Sequence, residues 1–164
     1  MKKKLTAAAL LAALLLTGCN AADTKSDSST SSSAPAETQT LTASEKAEKL
    51  LAEVEFSGEM IQPEEENMEF TLGFTADGLT EYAVYICGSG AYPDEFGIFT
   101  AETEEKADEI KTALEQRIKT QEENYKTYTP DEMYKFEDCF VKQSGTTVYY
   151  AVTADNSTAA EILG

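Results

Sequence analysis

Three cysteines, thirty carboxylates and no histidine set the chemistry open to this 164-residue chain. Without histidine there is no Ser-His-Asp or Cys-His nucleophilic machinery, and the commonest zinc ligand is missing. Cys87 and Cys139 alone do not complete a four-ligand zinc site. Two carboxylates with separated pKa values can hydrolyse a glycoside. With 30 acids, however, a close pair arises by chance, and a small domain offers little wall for a long sugar cleft. Glu64-Glu65-Glu66 is acidic enough to collect hard cations, yet no stretch has the alternating spacing of a calcium loop. The residues therefore indicate no catalytic group, no metal and no cofactor, and the chain reads as a non-enzyme.

Cys19 stands apart because of what precedes it. Lys2, Lys3 and Lys4 lead into an apolar run from Leu5 to Leu16, followed by Thr17-Gly18-Cys19. A basic start, a short apolar stretch and small residues before a cleavage point describe an export signal over residues 1–18. The run is shorter than the roughly 20 apolar residues a spanning helix needs. Leu16-Thr17-Gly18-Cys19 resembles the lipobox of bacterial lipoproteins. That resemblance implies cleavage before Cys19 and a diacylglyceryl group on its sulfur, with palmitate-type acyl chains. The thiolate suits the role as the better nucleophile. Two or three chains then anchor stably where one does not, at about 0.8 kcal/mol per buried methylene. The expected location is the extracytoplasmic face of the cell membrane, with the membrane itself as first partner.

Residues 19–44 are rich in Ser, Thr, Ala and Asp and nearly free of bulky apolar side chains. Such a segment cannot bury enough surface to offset its ordering entropy, and it reads as a disordered tether. Its expected root-mean-square reach is about 25–30 Å. The formal charge of −17 becomes more negative once Lys2, Lys3 and Lys4 leave with the signal. Nucleic acid is excluded as a partner, since phosphates need a basic footprint. Anionic lipid offers no electrostatic hold either, so acyl chains must do the anchoring.

Residues 45–164 form one domain with room for a modest core. Ser44 is the expected N-cap of a helix to Val54, with Ala47, Leu50, Leu51 and Val54 on one face. Pro63 precedes a short helix carrying Met68 and Leu72. Tyr82–Cys87 and Phe96–Thr100 read as strands. Thr103 then caps the longest helix, whose Ala107, Ile110, Leu114, Ile118 and Tyr125 follow at helical spacing. Thr129-Pro130 starts a short turn or helix. Phe136–Lys142 and Thr146–Thr153 read as strands around a tight turn at Ser144-Gly145. Ser157–Leu163 makes a last helical turn. The expected fold is α+β: two layers, an antiparallel four-stranded sheet with a ββαββ core, a long amphipathic helix and short flanking helices on one face.

Gly88-Ser89-Gly90, between the first two strands, has the glycines of a phosphate-cradling loop. Such a loop needs a helix N-terminus after it, whereas Tyr92-Pro93-Asp94-Glu95 leads into a strand. The glycines read instead as positive-φ positions of a wide turn. An exposed turn is still a place where a partner can touch.

From about Leu50 onward the chain resembles a bacterial lipoprotein domain of unknown function, family 4358. The stretches carrying the likeness are "EYAVYICGSGAYPDEFGIF", "EEKADEIKTALEQRIKTQEENYKTY" and "CFVKQSGTTVYYAVTAD". The resemblance implies an extracytoplasmic, Firmicutes-type lipoprotein and transfers no catalytic residue. Two further expectations concern this chain's own residues. An even pair of cysteines in an exported domain, Cys87 and Cys139, invites a disulfide, with two buried free thiols as the other outcome. Tyr82, Tyr85, Tyr149 and Tyr150 lie on strands, where alternate residues point to opposite faces. They are the candidate binding surface if the outer face of the sheet is open, and if a helix covers that face the Ser89–Asp94 turn is the remaining candidate. The leading functional reading is a non-catalytic binding or accessory module for an envelope protein or polysaccharide. A small carboxylate-based enzyme and a structural spacer are the alternatives.

Overall fold

A computed structural model describes residues 40–164. Cys19, the signal and most of the tether lie outside the described residues. The chain runs as α1 (Ala43–Glu53), β1 (Met60–Ile61), a 3-10 turn (Glu65–Asn67), α2 (Met68–Leu72), β2 (Leu79–Cys87) and β3 (Glu95–Ala101). It continues as α3 (Glu104–Tyr128), a 3-10 segment (Pro130–Phe136), β4 (Phe140–Ser144), β5 (Thr147–Val152) and α4 (Asn156–Leu163).

The sheet has five strands in the order β1-β2-β3-β5-β4, and every neighbouring pair is antiparallel. The four-strand expectation is corrected by β1, whose two residues pair with Cys87 and Ile86. Two residues carry no readable alternation, so only the pairing reveals that strand. At its other end, Phe136 closes the 3-10 segment and Glu137 is still helical (φ −61°, ψ −42°), so β4 starts at Phe140. The 3-10 geometry that Thr129-Pro130 initiates runs on through the residues expected to open the strand.

The two-layer expectation is also corrected. Along β3, Phe96 and Ile98 pack with Ala47 and Leu50 of α1 and with Ala159, Ile162 and Leu163 of α4. Phe99 and Ala101 point the other way and pack with Met68 and Leu72 of α2 and Ala107, Ile110 and Leu114 of α3. Helices therefore cover both faces, and β3 is the buried centre strand. The start of α1 makes this possible. Its cap is Thr42, not Ser44: the Glu45 N–H donates to Thr42 Oγ1 at 3.2 Å while Glu45 Oε2 accepts from the Thr42 N–H at 2.8 Å. That Thr-x-x-Glu capping box sets the helix two residues early. Ala43 is buried as a result, and its N–H donates to Glu81 Oε1 on β2 at 2.7 Å.

α3 begins where the sequence places it, with the Lys106 N–H donating to Thr103 Oγ1 at 3.2 Å. Its apolar stripe lies on the sheet from Ala107 to Leu114. Its C-terminal half, from Arg117 to Tyr128, passes the end of the sheet where β2 turns into β3.

Candidate functional site

The β2–β3 connection, Gly88–Asp94, is a hairpin loop. The strands pair as far as Ile86 and Glu95, and the Cys87 N–H donates to the Asp94 carbonyl at 2.8 Å. Gly90 has the expected positive φ, 63°. Gly88 does not. A Cβ there would sit 3.3 Å from the Ile61 side chain, so its glycine makes room for β1.

Asp94 and Glu95 close this loop, and both are buried. Asp94 immediately precedes β3 and Glu95 opens it, and each carboxylate meets a different cation. Arg117 of α3 donates from Nε to Glu95 Oε1 and Oε2 at 3.1 and 2.9 Å, and from Nη2 to Oε2 at 2.6 Å. Its Nη1 donates to the Thr71 carbonyl at the end of α2. The guanidinium thus ties α2, α3 and β3 together. Burial pushes the Glu95 carboxyl above the usual range, against the pull of Arg117. The Tyr150 hydroxyl lies buried in the same region without a hydrogen bond of normal geometry.

Lys135 Nζ donates to Asp94 Oδ2 and to Ser57 Oγ, each at 2.6 Å. Glu132 Oε2 is 2.7 Å from the same nitrogen as an ion pair. The backbone of Lys135 is set by α4: its carbonyl accepts from Asn156 Nδ2 at 2.8 Å, and Asn156 Oδ1 accepts from the Thr153 N–H at 2.8 Å. Burial by itself lowers the lysine pKa, and the bonds to Asp94 and Glu132 reverse this, leaving it raised.

A third anchor reaches the loop from α3. The Tyr125 hydroxyl donates to the carbonyls of Gly90 and Tyr92, at 3.0 and 2.9 Å. Burial, and then the Glu95 carboxylate, push that hydroxyl up to about 12. Between loop and helix lies a cavity of about 170 Å³, with Arg117 and Glu95 in its lining. Gly90, Gln121 and Tyr125 also line an adjoining hollow of about 210 Å³, whose rim carries Asn124 and Tyr128. Tyr128 is 73 % exposed. The site is therefore a groove with a pinned floor and a rim of amides, one aromatic ring and loop carbonyls. It can accept and donate hydrogen bonds and stack on a flat ligand surface. The floor carboxylate is held by Arg117, and among the described residues no three Cys, Asp or Glu side chains converge as metal ligands would.

The tyrosines chosen from the sequence do not form one patch. Tyr82 and Tyr150 pack on the α2/α3 side, and Tyr85 and Tyr149 pack on the α1/α4 side. Tyr150 is wholly buried, and the other three are partly covered. An open outer face does not exist here, because α1 folds across it. The glycine loop is left as the candidate, joined by α3 residues that the sequence reading missed. Arg117, Gln121 and Tyr128 carried no signal beyond being polar or terminal positions of an amphipathic helix. Cys87 and Cys139 are free thiols. Cys87 is buried with its Sγ 3.3 Å from Ser89 Oγ, and Cys139 packs by Tyr125, Phe136 and Val152.

A family model described as "Domain of unknown function (DUF4358)" matches residues 52–153. That span holds all five strands, α2, α3 and the groove, and it leaves out nearly all of α1 and all of α4. No curated protein and no solved structure matches the chain.

Proposed function

The chain belongs to the DUF4358 family, and we propose that it is a membrane-anchored, extracytoplasmic lipoprotein that works as a non-catalytic binding or accessory module of the cell envelope. The observation that carries the binding reading is how the loop's carboxylates are used. Glu95 and Asp94 each have a cation at 2.6 Å, so they hold the groove in shape and are not poised to exchange protons with a substrate. What the groove offers to solvent is the Gln121 and Asn124 amides and the Tyr128 ring, groups that recognise by hydrogen bonding and stacking.

Leu16-Thr17-Gly18-Cys19 supports the lipid anchor, and the Ser/Thr-rich residues after it support a spacer between membrane and domain. Among the described residues no helix is long and apolar enough to cross a membrane. The partner is an envelope protein or polysaccharide.

Capture from detergent-solubilised membranes tests the groove. Protein bearing Tyr128→Ala and Asn124→Lys should lose a partner that the unaltered chain retains, while its unfolding midpoint stays the same. Capture that ignores both substitutions sinks this groove as the binding site. Intact mass tests the anchor: the membrane form should begin at Cys19 and carry diacylglycerol. A mature form with an unmodified Cys19 thiol rejects it.

A further inference from the structure

We propose that Lys135 and Asp94 become joined through an amide bond, an internal cross-link between the start of β3 and the segment before β4. Both side chains are 0 % exposed, and Lys135 Nζ lies 2.6 Å from Asp94 Oδ2. The other carboxylate oxygen, Oδ1, is buried and has no hydrogen-bond partner. A second carboxylate stands at the same nitrogen: Glu132 Oε2 is 2.7 Å away, off the hydrogen-bond direction, with its side chain 18 % exposed. The rings of Tyr92 and Tyr134 flank the amine, with centroids 5.6 and 5.8 Å from it. Nucleophile and electrophile are thus held together out of water, with a proton carrier beside them that still reaches solvent.

The resting pair is ionic, so the first event is a proton transfer from Nζ to the Asp94 carboxylate across their hydrogen bond. This yields a neutral amine and a carboxylic acid. Burial works toward that pair, while the bonds to Asp94 and Glu132 keep the amine protonated at rest, so the reactive pair forms only transiently. The amine lone pair then attacks Asp94 Cγ. Glu132 takes a proton from the nitrogen of the tetrahedral intermediate and delivers it to the departing hydroxyl. One C–N bond forms, one C–O bond breaks and one water leaves, with no oxidant or reductant required. In bulk water, hydration of the two ions opposes this condensation. Here the reacting groups are fixed at contact distance, where positioning replaces a bimolecular encounter, and the product is shielded from hydrolysis. The bond would give the domain a covalent staple while both of its described cysteines remain free.

Intact mass and peptide mapping of the full chain purified from membranes test this. The chain should be lighter than its sequence and acyl groups require by one water, and a tryptic digest should join the peptide carrying Lys135 to the one carrying Asp94. Glu132→Gln should retain the full mass or convert more slowly, and Lys135→Arg should show no joined peptide. In Asp94→Asn the same bond expels ammonia, so the deficit should change from water to ammonia while the joined peptide persists. If either lysine or aspartate variant fails to fold, the map of the unaltered chain still decides. A full mass with separate peptides overturns the proposal, and so does a water deficit that maps to a single linear peptide.

Discussion

Arg117 and Glu95 meet through three hydrogen bonds, and the same guanidinium donates to the Thr71 carbonyl at the end of α2, so one cation ties α2 and α3 to β3. The carboxylate is nearly inaccessible, with its side chain 3 % exposed, so its partner decides whether that burial is tolerable. Arg117→Met should therefore destabilise the domain by roughly 3–5 kcal/mol, the range for stranding one member of a buried pair. The double variant Glu95→Leu with Arg117→Met should recover much of that loss. Urea unfolding of the three proteins checks both statements, and a single-variant cost under about 1 kcal/mol would show that the pair behaves as a surface contact.

Tyr125 makes the domain sensitive to alkali. Burial pushes its hydroxyl up to about 12 in the folded chain, against an ordinary value of 10.0. Between these values the unfolded chain has lost the proton and the folded chain has kept it. The contribution is complete below pH 10 and is lost as pH rises toward 12. Unfolding free energy should fall across that window, and Tyr125→Phe should make the fall shallower, with Tyr82, Tyr150 and Lys135, all also raised, supplying what remains. The same substitution removes the donor to Gly90 and Tyr92, so amide exchange in the Gly88–Tyr92 loop should speed up at neutral pH.

Gly97 lies at the centre of the buried strand β3, where an added Cβ would come 2.8 Å from the Phe99 ring and 2.9 Å from the Tyr150 ring. Both rings are fully buried and have nowhere to move. Gly97→Ala should cost about 1–3 kcal/mol, the usual range for overpacking, and Gly97→Val more. A thermal midpoint unchanged by the alanine would mean that this side of the core is looser than its geometry indicates.

Cys87 and Cys139 should titrate as two free thiols under denaturing, non-reducing conditions in protein whose Cys19 is replaced by serine. In the folded state Cys139 should alkylate slowly at neutral pH. Burial first, and the nearby Glu122 carboxylate second, push its thiol above the usual range, and the thiolate is the reactive form. A count of zero thiols would establish a bridge and a different packing around Tyr125.

Tyr85 and Tyr150 show how far the sequence carries. Local signals were enough for the strands that hold them, for α3 with its Thr103 cap, for the β4–β5 turn at Gly145 (φ 58°) and for the helical turn after Pro130. Each of these depends on side-chain period or on one residue's backbone preference, and both can be read within a few positions. The Ser89–Asp94 hairpin was legible for the same reason, from Gly90 and the Pro93-Asp94 pair, whereas the positive φ expected at Gly88 is absent.

Which face of the sheet is covered belongs to no local pattern. α1 is equally amphipathic whether it lies beside α3 or across the sheet from it, and only the packing of Ala47 and Leu50 onto Phe96 and Ile98 decides. The same holds for the ion pairs. Asp94 is 41 positions from Lys135 and Glu95 is 22 from Arg117, and among thirty acids nothing in the order of residues marks these two. They are selected by burial: desolvation makes a lone interior charge too costly to keep, so the fold that buries Asp94 and Glu95 must also bring each a cation. That requirement arises only once the chain has closed on itself, which is why the groove beside the loop is a property of the tertiary structure.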